Sequence, residues 1–210
     1  MSARLLYLLR WFLELHRPAT YGWDAEIHAE VERNYRWNFG VNLLDVTSFW
    51  FGFSFISATT VVPLYISKLS DSQLPIGIAA VIAQAAWFLP QLLTANIVER
   101  LPRKKPVIVR VGFVLERLPV WLLVVSAMVA VRAPLWALVL FLVGYAWRGL
   151  GAGFVATSWQ DLIARAFPTD RRGRFLGISL FLGTVAGTLA ALLSSRLLAS
   201  FPFATNFTYN

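Results

Sequence analysis

The chain has 210 residues, 58% of them hydrophobic and only 14% charged, with a net charge of +8 and no cysteine; its mean hydropathy is +0.62. A soluble domain carries about 25% charged residues, and a chain of this length has no interior that could hide so much apolar side chain from water. The composition excludes an ordinary soluble domain and makes the bilayer the natural solvent, while the missing cysteines exclude disulfides, thiolate chemistry and cysteine-based zinc sites.

Residues 1–38 stand apart from the rest. In MSARLLYLLRWFLELHRP, Leu5, Leu8, Leu9, Phe12 and Leu13 share a helical face that Arg4 and Arg10 interrupt, which suits a helix lying in the membrane interface. A signal peptide is the rival reading, but Arg10 and Glu14 break its apolar centre and no small-x-small cleavage site follows promptly. After a turn around Pro18 to Gly22, DAEIHAEVERNYRW reads as a short charged helix with Asp24 as its N-cap. His16 and His28 have no second ligand at metal spacing, so no metal is expected.

A spanning helix needs about 20 mainly apolar residues to cross a hydrocarbon core about 30 Å thick. Five stretches reach that length: Phe39 to Tyr65, Ile76 to Val98, Val107 to Val131, Pro134 to Ile163 and Phe175 to Ala199. The breaks between them, SKLSDSQLP, ERLPRKKP, RAP and FPTDRRGR, are short and polar or proline-bearing, as antiparallel neighbours require. The expected fold is an all-α polytopic membrane bundle over 39–199, with 200–210 as a loop. Arginine and lysine gather in the N-terminal segment, in the second break (Arg100, Arg103, Lys104, Lys105) and in the fourth (Arg165, Arg171, Arg172, Arg174); the first has only Lys68 and the third only Arg132. Basic loops stay in the cytoplasm, so the N-terminus and both basic loops are expected inside a cell membrane, and residue 210 outside. These charges form no long run or motif, and no nucleic-acid partner is expected. Asn206-Phe207-Thr208 matches a glycosylation sequon.

Charges at membrane depth carry the most information. Asp45 falls in the first span, Glu116 and Arg117 in the third and Arg148 in the fourth. A central charge costs about 2.5 to 3.5 kcal/mol on insertion scales, whereas each Leu, Ile, Phe or Val returns only about 0.3 to 0.6. Glu116 and Arg117 point about 100° apart on an α-helix, so an interhelical pair between Glu116 and Arg148 is expected instead. Asp45, with Asn42, Gln84 and Gln91, is the candidate lining of a pathway for a solute or proton; interhelical hydrogen bonding is the competing account of the three amides. In SFWFGFSF the aromatic rings fall on helical faces that suit lipid or core packing. Gly149 with Gly153, and Gly183 with Gly187, stand at the spacing that allows close helix contact. No P-loop, HExxH, GxSxG or paired-carboxylate hydrolase signature is present, so neither enzymatic activity nor a cofactor is expected.

ANIVERLPRKK (Ala95 to Lys105) follows the second span with Glu99 at an acidic position and Arg100, Arg103 and Lys104 at basic ones. It resembles the G-x-L-A-D-R-x-G-R-K loop of the major facilitator superfamily, with Ala95 and Pro102 in place of two glycines. RGLGAG resembles that family's R-x-x-x-G-x-G-A-G, except that Tyr145 stands where its Arg belongs, so Arg148 inherits no role. PTDRRGRFLG (Pro168 to Gly177) is similar to the family's loop between helices four and five. The resemblance covers about residues 37–199. It implies two six-helix halves, each a 3+3 inverted repeat, rocking about a midplane site. It further implies secondary active transport of a small solute of unspecified identity, among membrane lipids and with a coupling proton, with Glu99 and Arg100 latching helix ends and Asp45 beside the central cavity. With five spans in view, the resemblance implies an N-terminal portion of such a carrier that needs a sixth helix and a C-terminal half to be competent. The competing reading is a non-transporting membrane partner subunit that docks through its glycine faces.

Overall fold

The charged stretch before the first span and the span itself form one helix, α1 (Ala25–Ser54), 30 residues long. The expected division at residue 38 is absent because Trp37-Asn38-Phe39 contains no helix breaker. The computed structural model describes residues 25–99, 105 and 107–210; the expected interfacial helix over residues 1–17, His16, Asp24, Arg100, Arg103 and Lys104 lie outside them. Nor does the first span run unbroken to Tyr65: a turn follows Ser54, and a separate short helix, α2 (Val61–Leu69), restarts the chain. Pro63 explains the restart, since its ring is tolerated in a first helical turn but clashes with the carbonyl four residues earlier in a continuous helix. In the turn, the Ser57 carbonyl accepts from the amides of Thr60 and Val62.

The second span is α3 (Leu74–Glu99). The third is irregular: two π-helical segments, Val107–Val111 and Phe113–Arg117, lead into α4 (Val120–Val129). Pro119 has no N–H to give the Leu115 carbonyl, and the turn before it widens, so that the Leu118 amide donates five residues back to Phe113 at 2.8 Å. The fourth and fifth spans are α5 (Pro134–Ala166) and α6 (Thr169–Ser200). Among the described residues, α3, α5 and α6 contain windows long and apolar enough to cross a membrane. In α1 polar residues dilute the apolar run, and the third span is divided by its change of helix type.

α1 packs chiefly on α6, α3 on α5, and α4 also on α5. An inverted three-helix repeat produces this pattern: if span one maps onto span four and span two onto span five, the 1–5 contact maps onto 4–2. Within its most apolar window α5 is 44% buried, against 11% for α3 and 17% for α6, so α5 is the central helix.

Glycines set how closely these pairs approach. A methyl group built on Gly153 would stand 2.5 Å from the Trp87 carbonyl oxygen and 2.6 Å from that of Ala86. One on Gly151 would collide with the Leu115 carbonyl. Each contact involves a carbonyl that a proline deprives of its usual donor: Pro90 lies four residues after Ala86, and Pro119 four after Leu115. Two glycine Cα–H groups thus meet backbone oxygens freed on the neighbouring helices, a geometry suited to Cα–H···O contacts. On the other pair, a methyl on Gly183 would stand 2.5 Å from the Trp50 ring, and one on Gly187 would stand 2.8 Å from the Ser54 hydroxyl.

Two apolar cores close the ends of the bundle. At one end Tyr35, Phe39, Phe167 and Phe175 pack together, with Phe167 stacked on Phe175 at 4.1 Å. The α5–α6 corner is fastened there by Arg172, which donates to the Ala164 carbonyl at 2.7 Å, and by buried Arg171, which pairs with Glu32 at 3.2 Å and lies over the Tyr35 ring. At the other end Tyr65, Phe141 and Tyr145 form the larger core. The Ser126 hydroxyl donates to the Ala137 carbonyl at 2.7 Å, and so accepts the Tyr65 hydroxyl, also at 2.7 Å.

Residues 200–210, expected as a loop, contain a short helix, α7 (Thr205–Tyr209), packed on α4 and α6. Its Phe207 ring lies 4.8 Å from that of Tyr65, and this aromatic contact explains why the segment folds back. Asn210 donates to the Phe55 carbonyl at 2.8 Å and accepts from Ser194. Asn206 of the sequon is buried and donates to the Leu198 carbonyl at 3.0 Å.

Candidate functional site

Six elements line a cavity of about 290 Å³, the first π segment through Ile108. α1 supplies Asp45 and Trp50, α3 supplies Trp87, the second π segment supplies Glu116 and Arg117, α5 supplies Trp159 and Gln160, and α6 supplies Ser179. The two heaviest helix pairings therefore meet around it. Glu116 is buried because the π turn carries it toward α5, and Arg117 approaches it at 3.5 Å. The wider turn narrows the angle between successive side chains, which lets sequence neighbours meet where an α-helix would splay them. No ion pair joins Glu116 to Arg148 among the described residues. The structure thus corrects the expected interhelical salt bridge: the partner of Glu116 is its sequence neighbour Arg117.

A second cavity of about 280 Å³ shares Phe49, Trp50, Trp87 and Ala152 with the first. Arg148, Tyr145 and Gln84 line it. The guanidinium of Arg148 is buried, 5.0 Å above the centre of the Phe53 ring, an attractive cation–π placement. The shared aromatic residues form a waist between the two chambers: Asp45, Glu116 and Arg117 lie on one side and Arg148 on the other.

Of the residues anticipated as pathway lining, Asp45 lines the first chamber, on an exposed stretch of α1, and Gln84 lines the second. Asn42 and Gln91 line neither. Their amides turn back onto their own helices, Asn42 to the Asn38 carbonyl and Gln91 to that of Trp87, each at 2.8 Å. Glu99 is the final residue of α3. Sequence reasoning missed Gln160, Ser179 and the three tryptophans. Buried Ser179 has a hydroxyl with no hydrogen-bond partner among the described residues. Gln160 carried a readable signal, since it is a polar residue close to the apolar and glycine-rich stretch 149–156 of the same helix.

A family model described as Major Facilitator Superfamily matches residues 8–202, so the chain belongs to that family of membrane transporters and is an integral membrane protein. Comparison with curated proteins and with solved structures finds no match.

Proposed function

We propose that this member of the major facilitator superfamily carries a small solute across a cell membrane by secondary active transport, with its N-terminus in the cytoplasm and a second helical half completing the pathway. The observation that carries the reading is the paired chamber at the crossing of α1, α3, α5 and α6, with charge retained at membrane depth on both sides of an aromatic waist. Intramembrane ionisable groups mark ion and substrate routes because nothing else offsets their cost. In the first chamber two carboxylates, Asp45 and Glu116, face one guanidinium, that of Arg117. One negative charge is left over, and a proton on Asp45 would balance it. Asp45 is the coupling site in this reading because it accepts no hydrogen bond among the described residues, whereas Glu116 is held by Arg117. Gln84 and Gln160 supply polar contacts along the route. The latch formed by Glu99 and Arg100, in the loop motif that also holds Arg103 and Lys104, belongs to the same proposal and rests on the loop resemblance.

Uptake into vesicles under an imposed pH gradient tests the reading, with the chain joined to its second helical half and a panel of labelled small organic ions as probes. Accumulation driven by the gradient is expected for at least one probe, and Asp45→Asn should abolish the gradient's effect by removing the proton acceptor. Accumulation that responds to the gradient equally in the variant would remove Asp45 as the coupling site. A complete absence of accumulation would remove transport itself and favour a partner subunit.

A further inference from the structure

Arg148 is 7% exposed and sits in the middle of the central helix. A guanidinium offers five N–H donors in a planar fork. Among the described residues none of them reaches a hydrogen-bond acceptor or a carboxylate, and the Phe53 ring face is its close contact. A buried charge at this depth is costly unless something answers it. The fork lines the second chamber, whose other polar side chains are Gln84 and Tyr145 and whose walls are aromatic: Phe49, Trp50, Phe53 and Trp87.

We propose that the second chamber is a seat for a small organic monocarboxylate, its carboxylate held bidentately by Arg148 and its apolar or aromatic body packed against Trp50 and Trp87. The inference deepens the transport reading above and rests on it for calling the seat a substrate site. Three features select this class. The planar fork matches a carboxylate in geometry, which a lysine would not. A single guanidinium balances one negative charge and would leave a phosphate dianion in excess. The volume of about 280 Å³ lies just under the range of about 300 to 1,000 Å³ typical of drug-sized ligands, so the body is no larger than a single ring with a short side chain. Cargo and coupling ion would then occupy separate chambers, the anion at Arg148 and the proton at Asp45, with the waist between them.

The test is calorimetric titration of the purified chain in detergent micelles with three probes of one body and different charge: phenylacetate, phenylacetamide and phenethylamine. Phenylacetate is expected to bind about tenfold or more tightly than the other two, as expected for a charge-assisted fork over a neutral contact. Arg148→Gln should erase the difference, and Arg148→Lys should lose most of it, because a point charge replaces the fork. The ranking by the unaltered chain needs no variant, so a misfolded Arg148→Gln protein would not shield the inference. Equal binding of the three, preference for the amine, or no binding of any probe would overturn it; the last is the outcome if a protein carboxylate fills the seat. Binding is read without translocation, so its failure would leave the uptake test to judge transport separately.

Discussion

The α3–α5 and α1–α6 pairs both rely on glycine, yet their glycines meet different things. On α5, Gly151 and Gly153 face backbone carbonyls of the third and second spans; on α6, Gly183 and Gly187 face the side chains of Trp50 and Ser54. Backbone oxygens within helices have nowhere to go. An indole ring can rotate, and Trp50 has open space beside it because it lines both chambers. One interface is therefore a fixed joint, and the other has slack next to the pathway.

Substitutions to alanine turn this contrast into numbers. Gly151→Ala should do the most damage, because its methyl collides with the Leu115 carbonyl; the cost should reach the upper end of the roughly 1 to 3 kcal/mol seen for overpacking. Thermal unfolding in micelles, followed by size-exclusion profile, should show a large loss of folded material, and an unchanged midpoint would refute the fixed joint. Gly183→Ala should cost less than about 1 kcal/mol by the same measurement, since the indole can yield within the range of tolerated packing changes. Its larger effect should be on uptake and on phenylacetate binding, because Trp50 is displaced into the chambers. A variant as unstable as Gly151→Ala would show that the two interfaces do not differ. Gly177→Ala meets no atom within 4 Å and should be neutral or stabilising by up to about 1 kcal/mol, from helix propensity alone.

The long apolar helices α3, α5 and α6 were legible from hydropathy because length and composition suffice to mark them. The short helix after Ser54 was not, since Phe55 to Tyr65 is as apolar as what precedes it; Pro63 was the clue. The π turns around Glu116 were hidden for a related reason: hydropathy is blind to whether a turn closes on the fourth or the fifth residue. That difference decided which partner Glu116 met. Asp45 was readable as a chamber-lining residue because a carboxylate cannot satisfy itself on its own helix, whereas Asn42 and Gln91 carry N–H donors that reach the carbonyl four residues back. Depth in a span therefore says more about acids than about amides. Gln160, Ser179 and the tryptophans came together only through helix pairing, which a one-dimensional reading does not contain.

Arg171 and Arg172 belong to the basic run whose charges mark one side of the membrane in the unfolded chain. Once the bundle has formed, Arg171 is buried against Glu32 and Tyr35, and Arg172 donates to the carbonyls of Ala164 and of Phe167, the residue that caps α5. On the proposed topology the same two charges would serve at two times, first as an address read during insertion and later as fasteners of a finished corner. Replacing either with a neutral residue would blur both messages at once, so a topology defect and a folding defect at this corner would be inherited together.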